Sequence, residues 1–370
     1  MKIVHFLYEM VSGGAERFVA DLANAQAASG HEVSVVMLRP ANEKTCFNSQ
    51  FLDKGISFKS LEVEKGINIK KLKLVRKGLL SEKADILHCH HNILPYIVLV
   101  LFSSVKPLVV HTVHSAAERA NKNAGERIYC KFLYKTGLVK PVTISEESRR
   151  SFIKVYGMDA PCINNGRADL VKSPAFESVS SEIDGFKQNP GTKVFIHVGR
   201  CHPIKNQKLL IDAFNALDDE GVDFTLIVLG DGFDSDFGKS IKERACSKIH
   251  FVGEKSNVAD YLMNSDAFCL TSLSEGLSVS LIEALQCGLT PICTPVGGNP
   301  DVVKDGETGY LSKDLSLESY LDALQRYLTV PLNKESLHNY FTESFSMKAC
   351  CSRYISLYND YLKRLSCTLP

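Results

Sequence analysis

Short apolar runs alternate with amphipathic stretches along most of the chain, and this alternation predicts strands followed by helices. Lys2–Leu7 has the length and composition of a buried parallel strand; a Ser12-Gly13-Gly14 turn follows, then a helical stripe from about Ala15 to Ala28 that stops at Gly30. Further strands are expected at Glu32–Leu38, Ile56–Leu61, Ala84–His88, Pro107–Val113, Val142–Ile144 and Pro161–Ile163. Helices are expected at Asn68–Leu80, Ile93–Phe102, Gly125–Lys135 and Glu146–Val155. Residues 171–192 are rich in Ser, Pro and Gly and poor in periodic apolar positions, and they read as a linker. The alternation then restarts with strands at Val194–Val198, Phe224–Leu229, Ile249–Val252, Ala267–Leu270, Pro291–Cys293 and Gly309–Leu311. Between and after them come helices at Lys205–Leu217, Asp234–Ala245 and Val258–Met263, and over 315–328, 333–342 and 346–365. The pattern predicts an α/β fold of two doubly wound parallel-sheet domains, 1–170 and 193–345, with a final helical segment over 346–370.

Ligands of such sheets bind outside the carboxyl ends of the strands. The candidate residues lie there: Gly13-Gly14 after the first strand, His114 after Pro107–Val113, Arg200, Asp231 and Glu275 after strands of the second half. The stretch Thr271–Pro295 stands out. It holds Glu275 and Glu283 around an apolar helical run that starts near Leu277 or Ser278 and is closed by Gly288. The free backbone N–H groups of such a helix start bind phosphate readily. A glycosidase pair needs carboxyls about 5–9.5 Å apart, whereas eight helical residues rise about 12 Å. The two glutamates therefore suit two hydroxyl-bearing parts of one long ligand. Arg200 and Lys205 just past a strand end can neutralise a diphosphate, although no P-loop pattern is present. Gly14 lets a ligand approach the backbone. His114 can donate a hydrogen bond or act as acid or base. His88 and His90 share one side of a strand end, but no Asp, Glu or Cys at suitable spacing completes a metal site.

Composition narrows the classes. The 370 residues are 45% hydrophobic and 23% charged, as in a globular protein with room for two domains. No run of about 18 apolar residues offers a membrane-spanning helix. The N-terminal apolar run is too short for a signal peptide. Twelve scattered cysteines without a CxxC pair point to reduced thiols in the cytoplasm. Charge is uneven: residues 1–170 hold 24 Lys and Arg against 16 Asp and Glu, a net of +8, and residues 171–370 hold 19 against 26, a net of −7. The basic half includes Lys70, Lys71, Lys73, Arg76 and Lys77 in one helical segment, then Lys131, Lys135, Lys140, Arg149, Arg150 and Lys154. This suits peripheral contact with anionic membrane or a phosphorylated acceptor. Few aromatics interleave with these cations, so nucleic acid is not expected as a partner.

Taken together, these residues resemble the large retaining glycosyltransferase family 4, of the two-Rossmann-domain (GT-B) type. The resemblance covers nearly the whole chain. Its most specific element is Glu275-x7-Glu283 inside SEGLSVSLIEALQCGLTPICTPVGG, supported by Ser12-Gly13-Gly14-Ala15-Glu16-Arg17, Thr112-Val113-His114, Asn165-Gly166, Gly199-Arg200 with Lys205, Gly230-Asp231-Gly232 and Asp305-Gly306-x2-Gly309. It implies two domains facing each other across a cleft, the first for acceptor and the second for nucleotide sugar, with the C-terminal helix crossing back to the first. Position by position, it implies Glu283 on the ribose and Glu275 on the donor sugar. Backbone N–H groups near Gly276, Leu277 and Ser278, with Arg200 and Lys205, would hold the diphosphate. Asp231 would complete the donor site, Gly14 would admit the phosphates, and His114 would stand beside the transferred sugar. Arg167-Ala168-Asp169 after Asn165-Gly166 departs from the family's usual Asn-Gly-(Val/Ile)-Asp.

The implied activity is retaining transfer of a hexose or N-acetylhexosamine from a nucleotide sugar, UDP-linked rather than GDP-linked, to a lipid-linked or oligosaccharide acceptor. It would need no cofactor and no metal, in the cytoplasm or on the inner face of the membrane. Two other readings of the scaffold are a nucleotide-sugar epimerase or glycan phosphorylase, and a non-catalytic nucleotide-sugar-binding protein. The E-x7-E spacing argues against the epimerase, and no lysine is marked for pyridoxal phosphate.

Overall fold

The computed structural model describes residues 1–114, 117 and 123–366, and the chain forms two compact units, Met1–Ala168 with Ser344–Pro370 and Asp169–Glu343. Each unit holds a six-stranded sheet in which every pairing is parallel.

In the first unit the strands are β1 (Lys2–Leu7), β2 (Glu32–Met37), β3 (Ser57–Ser60), β4 (Ile86–His90), β5 (Leu108–Val113) and β6 (Lys140–Thr143), in the order β3-β2-β1-β4-β5-β6. The chain winds outward in both directions from the β1/β4 pair. Helices α1 (Gly14–Ala28), α2 (Ile69–Leu80), α3 (Val98–Leu101), α4 (Ala124–Lys135) and α5 (Glu146–Tyr156) connect them. Val75, Leu79, Leu94, Ile97, Val100, Leu133 and Phe152 cover one face of this sheet. The other face packs Phe18 and Leu22 of α1 with Met347, Cys350, Tyr354 and Tyr358 of the chain's last helix.

The second unit begins earlier than its first strand. Residues 171–192, expected as a linker, contain helix α6 (Phe176–Phe186) with Val179 and Ile183 buried. Its apolar positions Phe176, Val179, Ile183 and Phe186 recur every three or four residues, a helical stripe that the intervening serines hide. Tyr261 donates to Glu182 at 2.7 Å, and the Phe186 and His250 rings stack at 4.1 Å, fixing α6 to this unit. Strands β7 (Lys193–Val198), β8 (Phe224–Leu229), β9 (Ile249–Gly253), β10 (Ala267–Leu270), β11 (Thr290–Cys293) and β12 (Tyr310–Leu311) are ordered β12-β11-β10-β7-β8-β9. Helices α7 (Gln207–Asp219), α8 (Asp236–Lys242), α9 (Val258–Met263), α10 (Val279–Gln286), α11 (Asn299–Val302), α12 (Leu317–Thr329) and α13 (Lys334–Ser344) follow. Helix α14 (Met347–Ser366) returns to the first unit; residues 367–370 lie outside the described residues.

Other expectations shift locally. Ile93–Phe102 is a 3-10 turn over Leu94–Ile97 followed by one α-turn over Val98–Leu101. The helix expected from Lys205 starts at Gln207, because Asn206 takes a left-handed φ of 49°. The strand expected to end at His88 runs on to His90, so His88 and His90 are fully buried within the sheet. No helix among the described residues is long and apolar enough to cross a membrane.

Burial holds the imidazoles of His5 and His111 down to about 4, from an ordinary 6.5. Unfolding lets both take up protons between those values, so their contribution to stability is present above pH 6.5 and is lost as pH falls toward 4. Moving from pH 7 to pH 5 should remove about 2 kcal/mol for each, roughly 4 kcal/mol together. Urea melts of the first unit's transition at the two pH values check this; an unchanged midpoint contradicts it.

Candidate functional site

The topological switch point of the second sheet lies between β7 and β10. Loops leaving neighbouring carboxyl ends must diverge there, and a crevice forms between them. Beyond the strand ends lies a cavity of about 580 Å³ lined by Gly199, Arg200, His202, Lys205, Asp231, Glu254, Lys255 and Val258, among others. Arg200 is exposed and has no side-chain partner among the described residues. Lys205 sits in a 3-10 turn, Pro203–Lys205, which the His202 side chain caps by accepting from the Ile204 N–H at 3.2 Å. Thr271 donates to the carbonyl of Lys205 or Asn206, each 3.1 Å away, and the Leu273 N–H donates to the Ile204 carbonyl at 2.7 Å. The β10 loop therefore fixes the lysine turn of the β7 loop.

Lys205 reaches across to Glu275: Nζ lies 2.7 Å from Oε1, and the Ser272 hydroxyl donates to the same oxygen at 2.5 Å. Both side chains are largely buried, 24% and 10% exposed. The second carboxylate oxygen has no partner among the described residues. Helix α10 starts at Val279, two residues later than the earliest expected start, with Ser278 as a buried N-cap whose side chain makes no capping bond. Its first-turn N–H groups are thus left to an external acceptor. Only 279–286 is helical, so the 12 Å rise of an unbroken helix does not measure the Glu275–Glu283 separation. Glu283 is half-buried within α10 and does not line the cavity.

Glycines hold these loops at contact distance. A Cβ on Gly297, whose φ is +55°, would lie 1.9 Å from the Glu275 carbonyl oxygen. Beside it the Gly298 N–H donates to the Gly276 carbonyl at 2.9 Å. A Cβ on Gly230 would lie 2.1 Å from the Gly199 carbonyl oxygen. Asp231 is exposed; its side chain accepts from the Gly232 N–H at 2.5 Å, and its carbonyl accepts from the Cys201 N–H at 2.7 Å.

The first unit has its own cluster of strand-end residues. Gly14 is exposed, and a Cβ there would meet nothing within 4 Å. Gly13 precedes α1 as an N-cap without a side chain, and the Glu16 carboxylate folds back over this first turn. His114 is half-buried beyond β5; its Nε2 lies 2.9 Å from His90 Nδ1, and its ring packs edge-on against Phe18. Burial pushes its basicity well below the ordinary histidine value, with the neighbouring His91 and His111 adding to the shift. At neutral pH His114 is therefore a neutral hydrogen-bonding group. His111 points to the opposite face, between the Tyr134 hydroxyl (2.7 Å) and the His91 carbonyl (2.6 Å). His91 holds a φ of +57°, a strained conformation that the His111 bond to its carbonyl supports.

Sequence spacing missed several residues. His202, Glu254, Lys255 and Val258 line the cavity, and the strand-end rule applied to β9 would have found Glu254 and Lys255. His5 lies beside His88 through the β1/β4 register, and one nitrogen from each of His5, His88 and His90 falls within 4.8 Å of the others.

The family model for glycosyl transferases group 1 matches residues 180–344, and that for glycosyltransferase family 4 matches residues 12–167. The chain is 29% identical over 276 residues to the UDP-Gal:alpha-D-GlcNAc-diphosphoundecaprenol alpha-1,3-galactosyltransferase of Escherichia coli, covering 70% of each. Among solved structures, a glycosyltransferase from Rickettsia africae superposes with a TM-score of 0.79 at 18% identity, over 98% of both chains. Alr3699/HepE of Anabaena, solved with UDP, superposes with a TM-score of 0.75 at 18% identity, over 97% of this chain and 100% of that one.

Replacing Gly297 by alanine forces a Cβ into the Glu275 carbonyl and places alanine in the left-handed region, which alone costs about 1–2 kcal/mol. The variant should melt lower by that amount or more, measured by urea denaturation of the second unit's transition. Wild-type stability would contradict the close approach.

Proposed function

Because the chain belongs to family 4 of the glycosyltransferases, with two Rossmann-like domains of the GT-B type, we propose that it transfers a hexose or N-acetylhexosamine from a UDP-sugar to a hydroxyl of a growing, lipid-linked glycan. Anomeric configuration is retained and no metal is needed. The observation that carries this reading is the pair of cations past β7: Arg200 open to the cavity and Lys205 gripped by Glu275, beside the uncapped start of α10. The Escherichia coli relative, named for a UDP-sugar donor and a diphosphoundecaprenol acceptor, and the UDP complex of the Anabaena structure support the nucleotide and the acceptor class.

In this reading Asp169–Glu343 binds the donor and the first unit binds the acceptor. Arg200, Lys205 and the N–H groups from Gly276 to Ser278 take the diphosphate, Glu283 the ribose and Glu275 the sugar. Gly14 leaves room for phosphate at the start of α1, Asp231 shapes the cavity wall, and His114 hydrogen-bonds the transferred sugar. The sugar C1–O(phosphate) bond breaks as the acceptor oxygen bonds to C1 from the same face, and the acceptor's proton passes to the leaving phosphate oxygen. The fixed cations meet the charge that develops on the diphosphate. Glu275, engaged through one oxygen by an ammonium and a hydroxyl, suits hydrogen bonding better than nucleophilic attack.

The same reading places the protein on the inner face of the cytoplasmic membrane. Leu74, Phe102, Val105, Ile128 and Phe132 are exposed on segments that cover one face of the first sheet, and the same segments carry the exposed Lys70, Lys73, Lys77, Lys106, Lys131 and Lys135. Apolar insertion beside cations worth about 1 kcal/mol each suits an anionic lipid surface.

Arg200→Ala should lower kcat/KM for a UDP-sugar by about 10- to 100-fold, the size of one lost charge-assisted contact. Glu275→Ala should lower it at least as much. Radiolabelled transfer to lipid-linked acceptors measures both, and wild-type activity in either variant would sink the assignment. Transfer should also survive EDTA, and NMR of the product should show the donor's anomeric configuration. Vesicles containing anionic lipid should carry the protein on flotation at low salt and release it at high salt; Phe102→Ser with Phe132→Ser should weaken this, and flotation indifferent to lipid charge would refute the membrane contact.

A further inference from the structure

The polar layer between the first sheet and helices α1 and α14 is continuous. Parallel register sets it up: His5 pairs with His88, and His90 with Thr112, so these four side chains stand on one face. His5, His88, His90 and Thr112 are fully buried there. Gln26 of α1 and Tyr354 and Tyr358 of α14, also fully buried, complete the layer. Gln26 Oε1 lies 2.7 Å from His5 Nε2, His5 Nδ1 lies 3.0 Å from His90 Nε2, and His90 Nδ1 lies 2.9 Å from His114 Nε2. A branch runs from Gln26 Nε2 to the Tyr358 hydroxyl (3.4 Å), on to His88 Nδ1 (2.7 Å), and from His88 Nε2 to the Thr112 hydroxyl (2.7 Å), which itself lies 2.9 Å from the Tyr354 hydroxyl.

A neutral imidazole has one N–H and one lone pair. Each link in a row of imidazoles needs one of each, so the sense of the row is the same from end to end. A reversal in the middle would face two lone pairs or two N–H groups at each other inside the protein, with no water to relieve them. The sense is therefore set at an end. At the inner end the amide oxygen of Gln26 can only accept, so His5 carries its proton on Nε2. That leaves His5 Nδ1 to accept from His90 Nε2–H, and His90 Nδ1 to accept from His114 Nε2–H.

We infer that Gln26, acting through His5 and His90, fixes His114 as the Nε2–H tautomer and leaves its Nδ1 as a hydrogen-bond acceptor. His114 Nδ1 is a buried atom with no partner among the described residues, as an acceptor held for a ligand hydroxyl would be. Gln26, His5 and His90 are positioning residues: none needs to touch substrate. The functional consequence rests on the proposed role of His114 at the transferred sugar. It gives the site an acceptor for one sugar hydroxyl and withholds a proton donor at the same point. The branch through Tyr358 ties that choice to α14, since its hydroxyl receives the Gln26 N–H and donates to His88.

The test is long-range ¹H–¹⁵N NMR of the full chain labelled at histidine, assigned with single-histidine variants. In the wild type, His5, His90 and His114 should all show a protonated Nε2 and an unprotonated Nδ1. Gln26→Leu should release the inner end and give a mixture of senses at all three rings. It should also lower kcat several-fold, up to about tenfold, the size of one lost hydrogen bond, with little change in KM for the nucleotide sugar. Gln26→Glu, which keeps an oxygen facing His5, should restore both tautomer and kcat. A protonated Nδ1 on wild-type His114 would overturn the inference, because the amide would then be turned and the whole row reversed. Tautomers unmoved by Gln26→Leu would also overturn it. So would stoichiometric Zn²⁺ uptake that shifts His5, His88 and His90 together, since a metal would take the lone pairs that the row needs. Failure of the glycosyltransferase assignment of His114 reads out separately: His114→Ala would keep full transfer activity while the wild-type tautomers stayed as described.

Discussion

A parallel strand ladder sends every carboxyl end to the same edge of its sheet, and both units are built on that constraint. At the switch points, β1/β4 and β7/β10, neighbouring loops leave the sheet toward opposite faces and open a crevice, while their bases stay one strand spacing apart. In the second unit this brings the loop after β7, with Arg200 and Lys205, against the loop after β10, with Ser272 and Glu275. The crowding is met by removing side chains. Gly297 lies under Glu275 and Gly230 under Gly199, each so close that a Cβ would overlap a carbonyl oxygen. The glycines are thus part of the electrostatics: they allow backbone dipoles, a lysine and a carboxylate to be stacked within a few ångströms.

The two units bury polar groups in different ways. In the second, His197 is satisfied locally, donating to the Cys269 carbonyl at 2.9 Å while Gln207, beside it, donates to the Arg200 carbonyl at 3.0 Å. In the first, satisfaction is long-range and involves β1, β4, β5, α1 and α14 together. A net hydrogen bond contributes only about 0.5–1.5 kcal/mol, but an orphaned buried partner costs about 1–3 kcal/mol, so such a network is stabilising only when complete. This explains why α14 belongs to the first unit. Met347 and Cys350 supply apolar cover, whereas Tyr354 and Tyr358 close hydrogen bonds that α1 cannot reach.

Much of this architecture is legible in the sequence, because local patterns encode it. All twelve strands overlap their expected ranges, β6 by half its length, whereas the strand expected at Pro161–Ile163 is only an isolated bridge from Cys162 to Thr143; α10 lies where the Glu275–Glu283 stretch predicts a helix. Strand β4 is displaced two residues toward its carboxyl end, since His88 and His90 read as polar although partners elsewhere make them core residues. The helix over Phe176–Phe186 is hidden by serines that propensity reads as loop, while four apolar residues decide the outcome by packing. His5 is invisible to spacing arguments. Its neighbour His88 lies 83 positions away, and only strand register joins them. The site residues at strand ends are legible because topology fixes their height above the sheet. What they touch is decided by loop turns such as the left-handed Asn206, and no periodicity encodes those.

That turn bears on how Lys205 can serve two partners. Were α7 to begin at Lys205, as the apolar stripe suggests, the lysine would lie on a regular helix and its direction would follow the helix axis. The left-handed Asn206 separates the Pro203–Lys205 turn from α7, and Thr271 ties the turn down through the carbonyls of Lys205 and Asn206. The ammonium then meets Glu275 with one of its three N–H donors. A partly buried ion pair of this kind contributes little net stability, because desolvating both ions offsets most of their attraction. Its value is orientation. One donor is committed to the carboxylate, which keeps the lysine stem in place, and the remaining two are free to meet an arriving diphosphate without reorganising. In the proposed reaction, the charge developing on the leaving phosphate is then met by donors already set in position, which is the condition under which electrostatic stabilisation lowers a barrier most.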